Sequence, residues 1–285
     1  QGWTMTSKPL VITNQSPFAR LRAFPGQQSA FVNEGWSWSL TGTLSNHFIV
    51  QQDARETLVL DGQTDSFALQ GKYGFGQRWT IDFRLPWARH HKGFTDNLIS
   101  DWHRTFGLPN GDRQNYPTDR LLYEHRQAAF LRILDQPVSG WGDLEFAIGQ
   151  SLVQADFTQV SVGIGTKTAT GDVNKWLGSG TTDFYSLVRL SHQQRGGLPL
   201  YWHGQVGITR AGRSALIDDR QRRMLWFAGL SCEWPFKNKW SGLVQYDAHS
   251  ALADKHLDSL DESAGMLSFA FRWRPKQLWE IDFGF

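Results

Sequence analysis

The chain has 285 residues, of which 40% are hydrophobic and 20% charged, with a formal charge of +2. No stretch offers the roughly 18 consecutive apolar residues of a spanning helix, and the scattered, near-balanced charge argues against nucleic acid. The single cysteine, Cys232, excludes an internal disulfide and has no companions at zinc-ligand spacing.

Residues 1–29 carry Pro9, Pro17 and Pro25 and little alternation, which predicts an irregular N-terminal segment. The start, Gln1-Gly2-Trp3, has no Met, charged leader or apolar leader, and reads as a mature protein whose targeting segment has been removed. From about residue 30 the hydrophobic pattern has period two. Trp79, Ile81, Phe83, Leu85 and Trp87 alternate with Thr80, Asp82, Arg84 and Pro86. Val206 and Ile208 alternate with Gln205, Gly207 and Thr209, and Leu267, Phe269, Phe271 and Trp273 with Ser268, Ala270 and Arg272. About thirteen such segments follow one another, at 30–43, 46–60, 65–75, 78–88, 119–134, 142–153, 157–168, 182–193, 199–211, 222–234, 238–250, 263–274 and 277–285. Many are near the 9–11 residues with which a tilted strand crosses a bilayer, and towards the C-terminus short turns alternate with long polar loops.

With 14 Trp and 19 Phe in so polar a chain, the aromatics need an apolar partner outside the protein. A soluble sandwich turns every 8–12 residues or so, whereas the repeat here is roughly twenty. The fold expected is therefore all-β: a transmembrane antiparallel β-barrel of about 12–14 strands over residues 30–285. Thirteen is odd, and bacterial single-chain barrels have even numbers, so fourteen is favoured and twelve is the alternative.

One insertion, 89–118, breaks the alternation. Phe94, Leu98, Trp102 and Phe106 recur every four residues, Thr95 is placed to cap, and Gly107 with Pro109 to stop, which predicts a short amphipathic helix over 94–106. Its stripe must rest on the barrel or on a lipid leaflet.

Around this helix the sequence resembles a known family. The runs Tyr73-Gly74-Phe75-Gly76-Gln77-Arg78-Trp79, Leu85-Pro86-Trp87, His91-Lys92-Gly93-Phe94-Thr95-Asp96-Asn97 and Phe106-Gly107-Leu108-Pro109-Asn110-Gly111 are similar to those of the uncharacterised bacterial family DUF3187. Ser139-Gly140-Trp141-Gly142-Asp143-Leu144 is similar to a strand opening shared by many outer-membrane barrels. The resemblance implies an exported barrel in the outer membrane of a Gram-negative bacterium and supplies no activity or catalytic residues.

If the aromatic parity faces lipid, the opposite parity lines the lumen: Asp82, Arg84, Glu124, Arg126, Arg132, Glu145, Lys167, Asp183, Arg189, Asp247, Arg272, Glu280 and Asp282. Such charges on the lipid face would each cost about 2–4 kcal/mol near the midplane. His90, His91, Asp96, Asp101 and His103 gather around the helix but not at the i, i+4 spacing of metal ligands, so no metal or other cofactor is expected. Ser191-His192 and His249-Ser250 are adjacent on strands and point to opposite faces, so neither is a nucleophile with its base.

The function these features favour is a porin-like channel or binding barrel for small molecules, with helix 94–106 capping or gating one opening and the polar flank of Asp96, Asp101, His103 and Arg104 pairing with lumen charges such as Arg84 and Glu124. The partners expected are the lipid bilayer with its lipopolysaccharide, a small-molecule solute, and a periplasmic or outer-membrane protein. A structural or docking protein is the first alternative, and a lipid-modifying outer-membrane hydrolase the second, since a Ser and a His brought together across strands would suffice for it.

Overall fold

The computed structural model describes residues 7–285 except 110, 128, 129, 218, 255, 256, 277 and 278. Residues 1–6 of the irregular segment, Asn110 of the family-like run and the first two residues of the last predicted strand thus lie outside it. The fold is an antiparallel barrel wall of the transmembrane kind. Its strands are β1 (Gly35–Gln52), β2 (Glu56–Phe75), β3 (Trp79–His91), β4 (Leu122–Gln127), β5 (Phe130–Leu134), β6 (Val138–Trp141) and β7 (Glu145–Ala155). The wall continues through β8 (Thr158–Lys167), β9 (Asp183–Gln193), β10 (Tyr201–Arg210), β11 (Met224–Lys237), β12 (Trp240–His249), β13 (Ala264–Lys276) and β14 (Trp279–Gly284). Two helices interrupt it, α1 (Asp96–Phe106) and the short α2 (Asp258–Asp261).

All fourteen strands belong to one sheet. Neighbours run β14 to β7 in chain order, then β3 and β2, with β1 along the other edge of β2. Among the described residues β1 pairs only with β2, and β14 only with β13.

Three predicted segments become two long strands here. The cause is the three-residue turn after Gln52, where Asp53 Oδ1 accepts from the backbone N–H groups of Arg55 at 2.6 Å and Glu56 at 2.7 Å. Those two donors hold the Asp53 carboxyl below its ordinary range. The predicted strand 119–134 is instead a small hairpin, β4 and β5, of which β4 pairs with the first residues of β2, Glu56–Asp61. It extends the wall beyond β3, and its strands of six and five residues are shorter than the roughly 9–11 that a bilayer crossing takes.

The period-two pattern sorts the two faces. Outward lie Trp36, Leu40, Phe67, Ile81, Ile148, Ile164, Val188, Val206, Leu230, Phe269 and Phe283, all exposed. An apolar surface this extensive has no place in water. Outward tryptophans recur eight residues apart on β3 (Trp79 and Trp87) and on β11 (Trp226 and Trp234). Eight residues span about 27 Å of strand, which is about 20 Å of height at the tilt of such walls and lies within their apolar band.

Short connections, 76–78, 156–157, 194–200 and 238–239, meet at one end of the wall; the long ones, 92–121, 168–182, 211–223 and 250–263, meet at the other. At that second end the long connections, the start of β2 and Phe18, Ala19 and Leu21 build a hydrophobic core with Trp176, Leu216, Ile217, Leu252 and Leu260.

The N-terminal segment, residues 7–34, is irregular apart from one helical turn at Ala19–Leu21. It lies against the inner face. Ala23 N–H donates to Asp183 of β9 (3.1 Å) and Gln27 to Asp247 of β12 (2.8 Å), while Ser66 of β2 donates to Gln15 (3.0 Å) and Arg272 of β13 to the carbonyl of Lys8 (2.7 Å). One segment reaching strands at both ends of the sheet order requires the sheet to be rolled around it.

Candidate functional site

Inner-face side chains from β2, β3, β7 and β9 meet the N-terminal segment, and between them lies a narrow cleft, partly open to solvent. Val11, Ile12, Pro25, Ala68, Ala147 and Tyr185 give it an apolar side; Gln15, Gln28, Ser66, Gln70, Asp82, Arg84 and Glu145 give it a polar one. A second, smaller space shares Gln15, Ser66, Arg84 and Glu145 with it and leads towards Arg20, Asp143 and Lys167.

Strand alternation explains the lining. Asp82 and Arg84 are two apart on β3, so both point inward, and the register sets Arg84 opposite Glu145, where they pair at 2.7 Å. Asp82 is buried, and its Oδ1 has no hydrogen-bond partner in the protein. A buried carboxylate oxygen left without a donor is costly, so this atom is poised to accept a hydrogen bond from whatever enters the cleft.

The other predicted lumen charges fall into separate groups. Lys167 is buried between Asp143 (2.7 Å) and Asp183 (3.8 Å), and Arg22 of the N-terminal segment reaches Asp183 at 3.8 Å. Burial pulls the Arg22 guanidinium below its ordinary range, and the carboxylates of Asp183 and Asp143 oppose that pull. Arg272 is buried between Glu233 (2.8 Å) and Asp282 (2.6 Å); Arg274 reaches Glu233 and Glu280, and Lys8 pairs with Glu280. Asp247 accepts from Gln27 and Gln245, and Arg189 is buried on β9.

Three predicted lumen residues are elsewhere, because they sit on the β4–β5 hairpin and not on a crossing strand. Glu124 and Arg126 pair with each other at 2.7 Å on its outward side, and Arg132 is exposed, donating to the carbonyl of Ala215. The helix also departs from expectation. Phe94, Leu98, Trp102 and Phe106 are 58–68% exposed, and none of them lines the inner cleft. Asp96 pairs with Arg113 and Asp101 with Arg104, not with Arg84 or Glu124. What fills the interior is the N-terminal segment.

The structure does bring a serine to a histidine across strands. Ser191 Oγ lies 2.7 Å from His203 Nδ1, while His203 Nε2 contacts Ser7 Oγ (3.0 Å), which donates to Glu233 (2.6 Å). The pair was readable in principle: a hairpin folded at Gly196-Gly197 sets Ser191 opposite His203. All four residues are buried, Ser191 Oγ also accepts from Ala30 N–H (2.8 Å), and none lines the cleft, so the chain of bonds pins the N-terminal segment to the wall. His90 points inward to Thr64 and Tyr123, and its neighbour His91 outward to Asp65. Among the described residues no group of three or more His, Cys, Asp or Glu side chains forms a metal site.

Over residues 3–284 the chain matches the model of a family described as a protein of unknown function, DUF3187. The chain belongs to that family. No curated protein matches it. Among solved structures it is similar to a FadL homologue of Pseudomonas aeruginosa, with 10% sequence identity and a TM-score of 0.40. That likeness covers 89% of this chain and 66% of the other, so the chain spans a little less than two thirds of that protein's length.

Proposed function

We propose that this DUF3187 member is an outer-membrane β-barrel for uptake of a small, partly apolar molecule with hydrogen-bond donors, and that its N-terminal segment is the plug. The observation that carries this reading is the inner cleft, half apolar and half polar, with the unpartnered Asp82 Oδ1 in its wall. The outward apolar face supports the membrane location, and the ends with long and short connections correspond to the cell exterior and the periplasm. Lipid and lipopolysaccharide surround the wall, and gating belongs to the plug.

A locked plug tests this. The hydroxyls of Ser29 and Ser191 are 3.4 Å apart, so Ser29→Cys with Ser191→Cys, in a Cys232→Ser background, sets two thiols within disulfide reach. In reconstituted liposomes, solute entry measured by swelling should stop on oxidation and return on reduction. Equal entry in both states would remove the plug from the mechanism. Silence in both states and in the parent protein would favour the second reading, a docking protein displaying its long connections, which the hydrophobic closure of that end supports.

A further inference from the structure

We infer that helix α1 is a lipid anchor fixed to the outside of the wall, with its apolar stripe immersed at the outer boundary of the bilayer. The inference rests on the membrane location proposed above.

Its seat is decided by register. On β1, residues Trp36, Trp38, Leu40 and Leu44 face outward and are exposed, and Asn46 and Phe48 continue the same parity. Asn46 pairs with Gln63 on β2, which pairs with His91 on β3, so these three stand side by side on the outward face, one row beyond Leu44. On β1 the apolar band therefore ends at Leu44, whose row already carries Asp65 and Arg89, and the row at Asn46 is wholly polar.

The start of α1 is bonded to that polar row. Asn46 donates to Thr95 Oγ1 (3.0 Å) and Asp96 Oδ1 (2.7 Å), and Thr95 donates to Gln63 Oε1 (3.1 Å). Arg113, after the helix, bridges Asp96 (2.7 Å) and Asn46 (2.8 Å) and lies 4.9 Å over the Phe48 ring. The helix is held from outside the barrel, at the level where the apolar band stops.

Its own faces agree. Asp96, Ile99, Ser100 and His103 are the less exposed positions and lie on one side of the helix. Leu98 and Trp102 point away from that side and Phe106 borders it, all three exposed, and the Trp102 and Phe106 rings pack at a tilt with centroids 4.3 Å apart. A helix with its N-terminal end bonded to the wall and an exposed apolar stripe along its length, beside the edge of an apolar band, meets the material that already covers the band. That material is lipid, and an interfacial Trp suits the boundary depth.

Three single-cysteine reporters, each in a Cys232→Ser background with an environment-sensitive fluorophore, test this in liposomes: Leu98→Cys on the stripe, Asn97→Cys beside it, and Leu44→Cys in the band. Lipids carrying a nitroxide near the headgroup should quench the Leu98 reporter, whose emission is shifted to the blue, and leave the Asn97 reporter water-like. A water-like Leu98 reporter beside a quenched Leu44 reporter overturns the inference and leaves the membrane location standing. A blue-shifted Leu98 reporter that no lipid nitroxide quenches means a protein occupant, a second copy or another partner, and overturns it equally. If the Leu44 reporter is itself water-like, the membrane location fails and the anchor with it.

Discussion

Lys167 holds a buried ammonium only because every one of its donors is used. Asp143 Oδ2 and Ser179 Oγ accept at 2.7 Å each and the Thr181 carbonyl at 3.1 Å. The same carboxylate accepts the N–H groups of Ser179 (2.9 Å) and Gly171 (2.8 Å), so it also shapes the long connection after β8. Asp143→Ala removes the carboxylate that pairs with Lys167 and shapes the connection, and leaves the buried ammonium with Asp183, at 3.8 Å, as its nearest named carboxylate; breaking a buried pair in this way costs about 3–5 kcal/mol. A urea midpoint in detergent micelles that fell clearly below the parent's would show this cost, and an unmoved midpoint would refute it. At this scale the sequence was informative about sign and side but not about partners. Parity alone placed Lys167 and Asp183 inward, whereas Asp143 lies in the connection before β7 and has no strand parity to read. Glu124 and Arg126 misled for the opposite reason: their alternation is genuine, but it belongs to a hairpin outside the apolar band.

Strands pack here through pairs of a ring and a glycine. An added Cβ on Gly207 of β10 would meet the ring of Phe227 on β11 and the backbone carbonyl of Ser186 on β9, and one on Gly165 of β8 would meet the Tyr185 ring on β9. The rings fold over glycines of the adjacent strand and fill the inner layer beside Phe24 and Ala23. Gly207→Ala therefore has no free direction to relax, because a carbonyl in a hydrogen-bond ladder cannot turn aside as a side chain can. The expected loss is about 1–3 kcal/mol, read as earlier loss of heat-modifiable gel mobility, and Gly204→Ala is the control because its Cβ would meet nothing closer than 3.7 Å. Equal loss in both would assign the effect to strand propensity, not to the ring. Elements were the most legible level of this sequence. β8 to β13 fall within a few residues of their alternating segments, and Gly107, at φ 67°, ends α1 where a stop signal stood. The three-residue turn at Asp53 escaped because Gln51-Gln52-Asp53-Ala54-Arg55 lacks glycine and proline, and its signal is one side chain capping two N–H groups. The helix was found, but its seat was not, since the polar row of Asn46, Gln63 and His91 exists only once three strands are in register.

At the level of the whole molecule, two closures lie in series along the barrel axis. One is the hydrophobic core at the long-connection end. The other is the N-terminal segment, pinned by charge and hydrogen bonds down to Arg272, Glu233 and Ser7. They share residues: Phe18 belongs to the segment yet packs at 5.1 Å between ring centroids on Trp176 of the connection between β8 and β9, and Trp176 packs on Tyr123 at 5.8 Å. Opening the first closure therefore releases the middle of the second, while its far end stays bonded near the short turns. Phe18→Ala with Trp176→Ala removes two buried aromatics that cost about 3–5 kcal/mol each when truncated. That cost falls on the cap, because neither residue lies on a strand of the wall, so the barrel should keep its heat-modifiable mobility. Its long connections should become open to external protease, and solute entry into liposomes should rise. If proteolysis shows the cap loosened and entry does not change, the barrier is the lower set of bonds, and the ion pairs of Arg272 with Glu233 and Asp282 are the gate to break next.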